Sequence, residues 1–285
     1  MVFIYFKGML MKTSGKSPLI LTFVICLSAA SFISVRAHGD YLSGIFAYSI
    51  EDYSTAFAEL TPLAEQGNAG AQYIIGGMYN LGQGVPQDHE KGIVWLRLAA
   101  KQGLAEAQSQ LGMNYNQGWG VLQDYKEAAA WFQLAAEQGD TEAQRSLGLI
   151  YFHGRSVLQD YEEATKWFRL AAEQGDADAQ SLLGLNYLNG QGVLQNYEEA
   201  TKWFRLAAEQ GDADAQNNLA YMYTFGMGIL QDWVYAHMWY NMASANGFDE
   251  AAPKRDAAAE RMSVSQIEQA QEMARNCLNS NYEDC

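Results

Sequence analysis

A histidine, an arginine and a serine lie close together at His153, Arg155 and Ser156, in the stretch "YFHGRSVLQDYEEATKWF". A serine beside a histidine is the minimum that a nucleophile and its general base require. A working site of this kind also needs a group that orients the base, and donors for the developing oxyanion. The sequence shows neither near this pair, so a catalytic site competes here with a variant loop of a structural module.

Other sequence motifs that carry chemistry are missing from the chain. It contains no Ser-x-x-Lys, the arrangement that β-lactam enzymes commonly use, and no Gly-x-x-x-x-Gly-Lys phosphate loop. The four histidines, His38, His89, His153 and His237, share no metal-ligand spacing. The sequence therefore predicts a protein that is not an enzyme and that has no cofactor and no metal site.

Composition favours helices and argues against nucleic acid as a partner. The chain of 285 residues has only 4 prolines, which favours helices. Of its residues 49% are apolar, which is enough to bury a core. There are 33 acidic and 18 basic residues, for a net charge of −15. So acidic a chain repels phosphates.

The N-terminal 37 residues resemble a secretory leader. They contain no Asp or Glu, and Lys12 and Lys16 precede the apolar run "PLILTFVICLSAASFISV". The residues "VRA" that end at Ala37 follow it, which predicts cleavage after Ala37. The run is too short and too rich in Ser and Ala to favour a membrane span. We therefore expect a periplasmic or secreted protein.

Two cysteines remain after the leader, Cys277 and Cys285. In an exported protein a disulfide between them is allowed, and the even number favours it. Two free thiols on a frayed C-terminal tail are the alternative.

The rest of the chain repeats with a period of 36 residues. Glycine recurs at this interval from Gly67 to Gly247, and tryptophan from Trp95 to Trp239. Residues 161–180 and 197–216 are identical. Duplication of this kind indicates a structural module that is stacked many times rather than a single asymmetric active site.

Each unit has the pattern of two helices. In the unit that follows Gly139, Asp140 and Asp160 can cap the two helices, because their carboxylates accept from free backbone amides. Ala164, Trp167 and Phe168 begin an apolar stripe at helical spacing, and Gly175 can end the second helix in a left-handed conformation. The tryptophans are predicted to lie in the core, since each shares its stripe with small apolar residues.

The order of residues within a unit resembles the Sel1-like repeat family, whose members are relatives of tetratricopeptide arrays. Residues 105–139, "AEAQSQLGMNYNQGWGVLQDYKEAAAWFQLAAEQG", follow that pattern nearly throughout. The resemblance implies an all-α, right-handed α/α solenoid that binds proteins or peptides as a scaffold or adaptor. The predicted divisions are a leader at 1–37, an N-terminal half-repeat helix at 38–67, five repeats at 68–247, and capping helices with a tail at 248–285. We expect a monomer.

The same resemblance supplies an alternative function. Exported members with a disulfide in every repeat are linked to penicillin binding or β-lactam hydrolysis. This chain has no cysteine in any repeat. A cell-wall-related or β-lactam-directed hydrolase is kept as the alternative to the scaffold.

One stripe of each first helix varies between repeats, and specificity can reside there. Its members are spaced by four and three residues, which places them on one helical face. In solenoids of this type the first helices line the concave surface. The predicted partner contacts on this concave face are Gln110, Asn114, Gln117, Ile150, His153, Asn186, Asn189, Asn218, Met222 and Phe225. Solvated positions without a role are the alternative interpretation.

Comparison with the equivalent loops of the other repeats changes the interpretation of the His153 stretch. The other units have "GQGV", "GWGV", "GQGV" and "GMGI" where this one has "GRSV". The second glycine of these loops is predicted to have a positive φ, and Ser156 replaces it. His153 falls on the variable stripe. The stretch is thus a variant loop with one candidate contact residue.

Overall fold

The described residues of the chain, 41–155, 157–280, 282 and 285 of this computed structural model, form helices and no strand. The helices are α1 (41–49), α2 (Tyr53–Glu65), α3 (Ala69–Leu81), α4 (His89–Lys101), α5 (Ala105–Gln117), α6 (Tyr125–Glu137), α7 (Thr141–His153), α8 (Tyr161–Glu173), α9 (Ala177–Asn189), α10 (Tyr197–Ala208), α11 (Ala213–Phe225), α12 (Trp233–Ala245), α13 (Ala251–Ala259) and α14 (Val264–Asn279). The predicted all-α solenoid with a 36-residue period is confirmed. The leader, its cleavage site and Ser156 lie outside the described residues.

Each helix from α2 to α13 packs mainly against its neighbours along the chain, so the repeats form a single row of hairpins. The N-terminal segment 38–67, for which the sequence predicts one helix, contains two. Gly44 and Ala47 of α1 are buried, and Gly44 lies against Leu60 of α2. The additional helix thus covers the outer side of α2. None of the described helices is both long and apolar enough to cross a bilayer.

The predicted helix ends are present. Asp140 Oδ1 accepts from the Ala143 amide at 2.7 Å, and Asp160 Oδ1 from the Glu163 amide at 2.9 Å. Gly175 follows α8 with φ of 96°. Such caps satisfy amides that the first turn of a helix leaves free, and they begin every helix from α2 to α12 except α5, which Leu104 precedes.

The second glycine of each loop is required for a close backbone approach. Gly84 has φ of 70°, and a Cβ built on it would lie 2.6 Å from the carbonyl oxygen of Tyr53, where α2 begins. Gly120 makes the same approach to the carbonyl of His89. The positive φ predicted for these glycines is confirmed at the four positions equivalent to Ser156, which are Gly84, Gly120, Gly192 and Gly228. The loop of one repeat therefore rests on the start of the second helix in the preceding one.

The core of the second, third and fourth repeats is a phenylalanine ring packed on a glycine. Phe132 and Phe168 are fully buried, and a Cβ on Gly112 would lie 2.7 Å from the Phe132 ring. Glycine on the first helix thus lets the second helix approach closely. Trp239 is buried as predicted, whereas Trp167 is only partly buried, so phenylalanine holds the central position of the stripe.

A buried glutamine connects three consecutive helices in every repeat. Gln144 of α7 donates through Nε2 to the carbonyl of Ala136, in the last turn of α6, at 3.1 Å. Its Oε1 accepts from Nε2 of Gln174, which caps α8, at 2.8 Å. The same two bonds recur in all five repeats, at Gln72, Gln108, Gln144, Gln180 and Gln216. We call this set the amide ladder.

The C-terminal segment closes the amide ladder. Asn246 replaces the capping glutamine in the fifth repeat, and its Nδ2 donates to Gln216 Oε1 at 2.9 Å and to the Tyr282 hydroxyl at 2.9 Å. Cys277, fully buried on α14, is joined to Cys285 by a disulfide with the two Cα atoms 4.8 Å apart. The pair for which the sequence left bridge and free thiols open is therefore bridged, and the bridge closes a short loop around Tyr282.

We predict that Gln144→Met lowers the free energy of unfolding by about 1–2 kcal/mol, because it removes the two hydrogen bonds by which the buried Gln144 amide joins α6, α7 and α8. Urea unfolding followed by circular dichroism measures the change. Gln133→Met is the matched control, since the Gln133 amide bonds only Glu137 on the surface. Equal stability of the two variants would contradict a structural role for the ladder.

Candidate functional site

The exposed part of the variable stripe forms one surface along the first helices. Its outer positions are the last residues of these helices, and all of them are exposed: Leu81, Gln117, His153, Asn189 and Phe225. Its inner positions are partly buried: Ile74, Gln110, Ser146, Leu182 and Asn218. We call these ten residues the variable face. Of the predicted contacts, Gln110, Gln117, His153, Asn189, Asn218 and Phe225 belong to it.

The four predicted contacts at the middle positions of the stripe are wrong. Asn114, Ile150, Asn186 and Met222 are each at most 2% exposed, so a partner on the surface does not reach them. Because a helix turns by about 100° per residue, the middle position is rotated by roughly 60° from the outer one, toward the preceding second helix. These residues vary in type but pack between the repeats.

Asn186 shows what a middle position does. Its Nδ2 donates to Thr165 Oγ1 on α8 at 2.7 Å, and Thr165 in turn donates to the Tyr161 carbonyl at 2.7 Å. The amide therefore links α9 to the second helix of the preceding repeat. Its role is structural.

The His153 stretch shows no catalytic arrangement among the described residues. The His153 ring packs edge-on against Phe152 with centroids 5.2 Å apart, and its side chain is exposed. The Arg155 guanidinium lies over the Tyr125 ring, 5.5 Å from its centroid. Within the described ranges no group of three or more His, Cys, Asp or Glu side chains could hold a metal ion.

The remaining histidine with an unusual environment is also structural. His237 on α12 is 3% exposed, and burial lowers the pKa of its imidazole, with the nearby Arg255 charge acting in the same direction. A lowered pKa keeps the ring neutral near pH 7, as a core position requires.

Clefts open on the variable face between adjacent repeats. The N-terminal one, of about 390 Å³, lies between Leu81 and Trp119 and exists because Gly77 lacks a side chain. A Cβ on Gly77 would meet no atom within 4 Å. The later repeats place large side chains at the equivalent positions, which are Met113, Leu149, Leu185 and Tyr221. Sequence reasoning missed this cleft, although the loss of a large residue at one position of the period indicates it.

The variable face continues beyond the fifth repeat onto α13 and the turn that follows it. Lys254 and Arg261 follow Asn218 and Phe225 by one 36-residue period, and both are exposed. Ala258 lies at the middle position and is 2% exposed, like its equivalents in the repeats. Sequence reasoning missed the two cations because α13 lacks the repeat signature, but the period alone would have reached them.

A cleft of about 430 Å³ lies beside these cations. Tyr221 and Phe225 of α11 form one wall, with ring centroids 4.6 Å apart, and Trp233 and Tyr240 of α12 form the floor. Burial raises the pKa of the Tyr240 phenol, so its hydroxyl stays neutral. The cleft combines aromatic walls with the positive side chains of α13, which suits an apolar group that carries negative charge nearby.

Comparison with known proteins identifies the repeat. A protein-family model described as "Sel1 repeat" matches residues 69–104, 105–140, 141–176, 177–212 and 213–248. A Sel1 repeat protein from Oxalobacter formigenes is 37% identical, with a TM-score of 0.69 over 73% of this chain and 85% of the other. A protective antigen of uropathogenic Escherichia coli strains is 34% identical, with a TM-score of 0.77 over 88% of this chain and 55% of the other. No curated protein matches this chain.

We predict that Asn186→Ala lowers the free energy of unfolding and that Asn189→Ala leaves it nearly unchanged. Asn186→Ala removes a buried hydrogen bond to Thr165 and is expected to cost about 1–2 kcal/mol of unfolding free energy. Asn189→Ala, three residues away on the exposed side, is expected to change it by less than about 0.5 kcal/mol. Thermal and urea unfolding measure both. A larger loss for Asn189→Ala than for Asn186→Ala contradicts the assignment of the two positions.

Proposed function

This chain belongs to the Sel1 repeat family, and from that premise we propose that it is an exported scaffold that binds a protein or peptide partner through its variable face. Sel1 repeat solenoids commonly mediate contacts between proteins, and extended arrays of helical hairpins present a long continuous surface for this purpose. The partner-binding surface, the export and the monomeric state are parts of the proposal.

The observation that carries the proposal is the contrast between constant and varied positions. The buried glutamine of the amide ladder is the same in all five repeats. The outer position of the first helix, by contrast, is Leu81, Gln117, His153, Asn189 or Phe225. Because the fold constrains the first set and leaves the second free, differences in the second set can serve recognition.

The chemistry of the variable face suits an extended chain. Gln117 and Asn189, in the middle of the array, can both donate to and accept from peptide backbone groups. Leu81 near one end and Phe225 near the other are 65% and 59% exposed, so each offers apolar surface to a partner. A partner with apolar anchors at both ends and a polar stretch between them fits this arrangement.

Export is supported by the leader-like N-terminus and by the disulfide. A bridge between Cys277 and Cys285 persists in oxidising compartments such as the periplasm or the extracellular space. No arrangement among the described residues favours the hydrolase alternative, since the His153 ring packs edge-on against Phe152 and its side chain is exposed.

A capture experiment with bulky substitutions tests the proposed function. The triple variant Gln117→Trp, His153→Trp, Asn189→Trp obstructs three successive outer positions of the variable face. We expect it to lose about tenfold or more in recovery of the partners that immobilised wild-type protein captures from an extract of the source cell. Mass spectrometry identifies and counts these partners.

The matched control is the triple variant Ala130→Trp, Lys166→Trp, Lys202→Trp. These three exposed residues occupy one equivalent position on α6, α8 and α10, away from the variable face. Equal loss in both triple variants, or unchanged recovery with the first, contradicts the proposed surface. Turnover of nitrocefin or muropeptides by the purified wild-type protein would instead support the hydrolase.

A further inference from the structure

Two clefts join at the C-terminal end of the variable face. The aromatic cleft beside α13 shares Tyr221 and Lys254 with a second cleft of about 390 Å³, which extends toward Asn189 and Asn218. We call these two adjoining clefts the C-terminal depression. The volume of each cleft lies in the range of ordinary ligand sites.

Two cations at this depression have no acidic partner among the described residues. The Lys254 ammonium donates to Asn217 Oδ1 at 2.9 Å and lies 5.4 Å from the centroid of Phe248. The Arg261 guanidinium lies over Trp233, 5.9 Å from the ring centroid. Their neighbour Arg255, in contrast, bonds Asp256 at 2.7 Å. Contacts with rings and an amide thus position the two cations but leave their charges uncompensated.

The lining of the two clefts is free of carboxylates among the described residues. In a chain with 33 acidic and 18 basic residues this is a local reversal of charge. Over longer distances the acidic surface repels anions, but that repulsion is screened beyond about 8 Å at physiological salt. For a ligand in contact with the clefts, the two cations therefore favour negatively charged groups.

We propose that this C-terminal depression binds an acidic segment of the partner chain, with two carboxylate side chains on either side of a large apolar one. The carboxylates contact Lys254 and Arg261, and the apolar side chain enters the aromatic cleft between Phe225 and Trp233. Asn189 and Asn218 bond the backbone of the same segment. The inference rests on the proposed function and adds to it the chemical class of the ligand.

The spacing of the cations indicates the spacing of the carboxylates. Lys254 lies on α13 and Arg261 in the turn that follows it, so the seven residue steps between them span on the order of 10 Å at nearly helical rise. In an extended polyproline-type chain, side chains three residues apart lie on one side and about 9 Å from each other. The recognised segment is therefore Glu-x-x-Glu or its aspartate equivalent, with a large apolar residue at one of the two intervening positions.

Binding of short peptides to the mature chain, residues 38–285, tests this inference. The probes are labelled peptides with blocked termini that contain Glu-Phe-Pro-Glu, Glu-Leu-Pro-Glu or Glu-Trp-Ala-Glu, each with a partner in which both glutamates are glutamines. Fluorescence anisotropy measures the dissociation constants. We expect at least one glutamate peptide to bind about tenfold or more tightly than its glutamine partner.

Two variants of equal net charge locate the effect. Lys254→Gln with Arg261→Gln is expected to abolish the preference for glutamate. Arg255→Gln with Arg275→Gln is the control, since it removes the same charge from α13 and α14 and is expected to keep the preference. Phe225→Ala is expected to weaken all glutamate peptides about tenfold, because the apolar wall is lost. Circular dichroism establishes that each variant is folded.

Equal binding of glutamate and glutamine peptides, absence of binding by all of them, or a preference that survives in the Lys254 and Arg261 variant overturns the inference. These outcomes leave the proposed scaffold function intact, because capture of partners from an extract scores that function at Gln117, His153 and Asn189. Unchanged capture by the Gln117, His153 and Asn189 variant, together with a glutamate preference that the Lys254 and Arg261 variant loses, would contradict the proposed function and keep the peptide site.

Discussion

The hydrogen bonds of one buried glutamine per repeat set the register on which the array depends. Gln144 donates to the Ala136 carbonyl at the end of one second helix, which also accepts from the Gly139 amide, and it receives an amide proton from the cap of the next second helix. A buried amide that loses these partners is costly, so a hairpin that slips along its neighbour is penalised in every repeat. With the register fixed, phenylalanine packs on glycine in three successive repeats, at Gly112, Gly148 and Gly184, and the close loop approach at Gly84 recurs at Gly120.

The fixed register divides the chain into constrained and free positions. Residues directed into the stack, including the variable Asn186, hold helices together, whereas the outer positions such as Asn189 contact solvent. The same register continues past the fifth repeat, because Asn246 and Tyr282 close the amide ladder over the last hairpin. The cations of α13 are thereby held in line with the variable face, and the proposed acidic ligand would contact a surface that is formed before binding.

The helix ends and the repeat period could be predicted, because they depend on local interactions. The burial of individual positions could not, because it depends on how neighbouring helices pack. Caps such as Asp140, the glycines and the 36-residue period depend on short stretches of sequence, and they are where the sequence predicts them. Variation alone does not reveal burial, so Asn114 and Asn186 were expected on the surface although a rotation of roughly 60° places them inside. Lys254 was missed because α13 has the spacing of a repeat without its signature.

The central claim is that the amide ladder determines stability and the variable face does not. Exchange of the exposed outer residues between two repeats is the sharpest test, with His153 placed at the position of Gln117 and the reverse. The measurement is the free energy of unfolding in urea. The account predicts a change within about 0.5 kcal/mol. A loss of about 2 kcal/mol or more, the size expected for an unsatisfied buried amide, would contradict it.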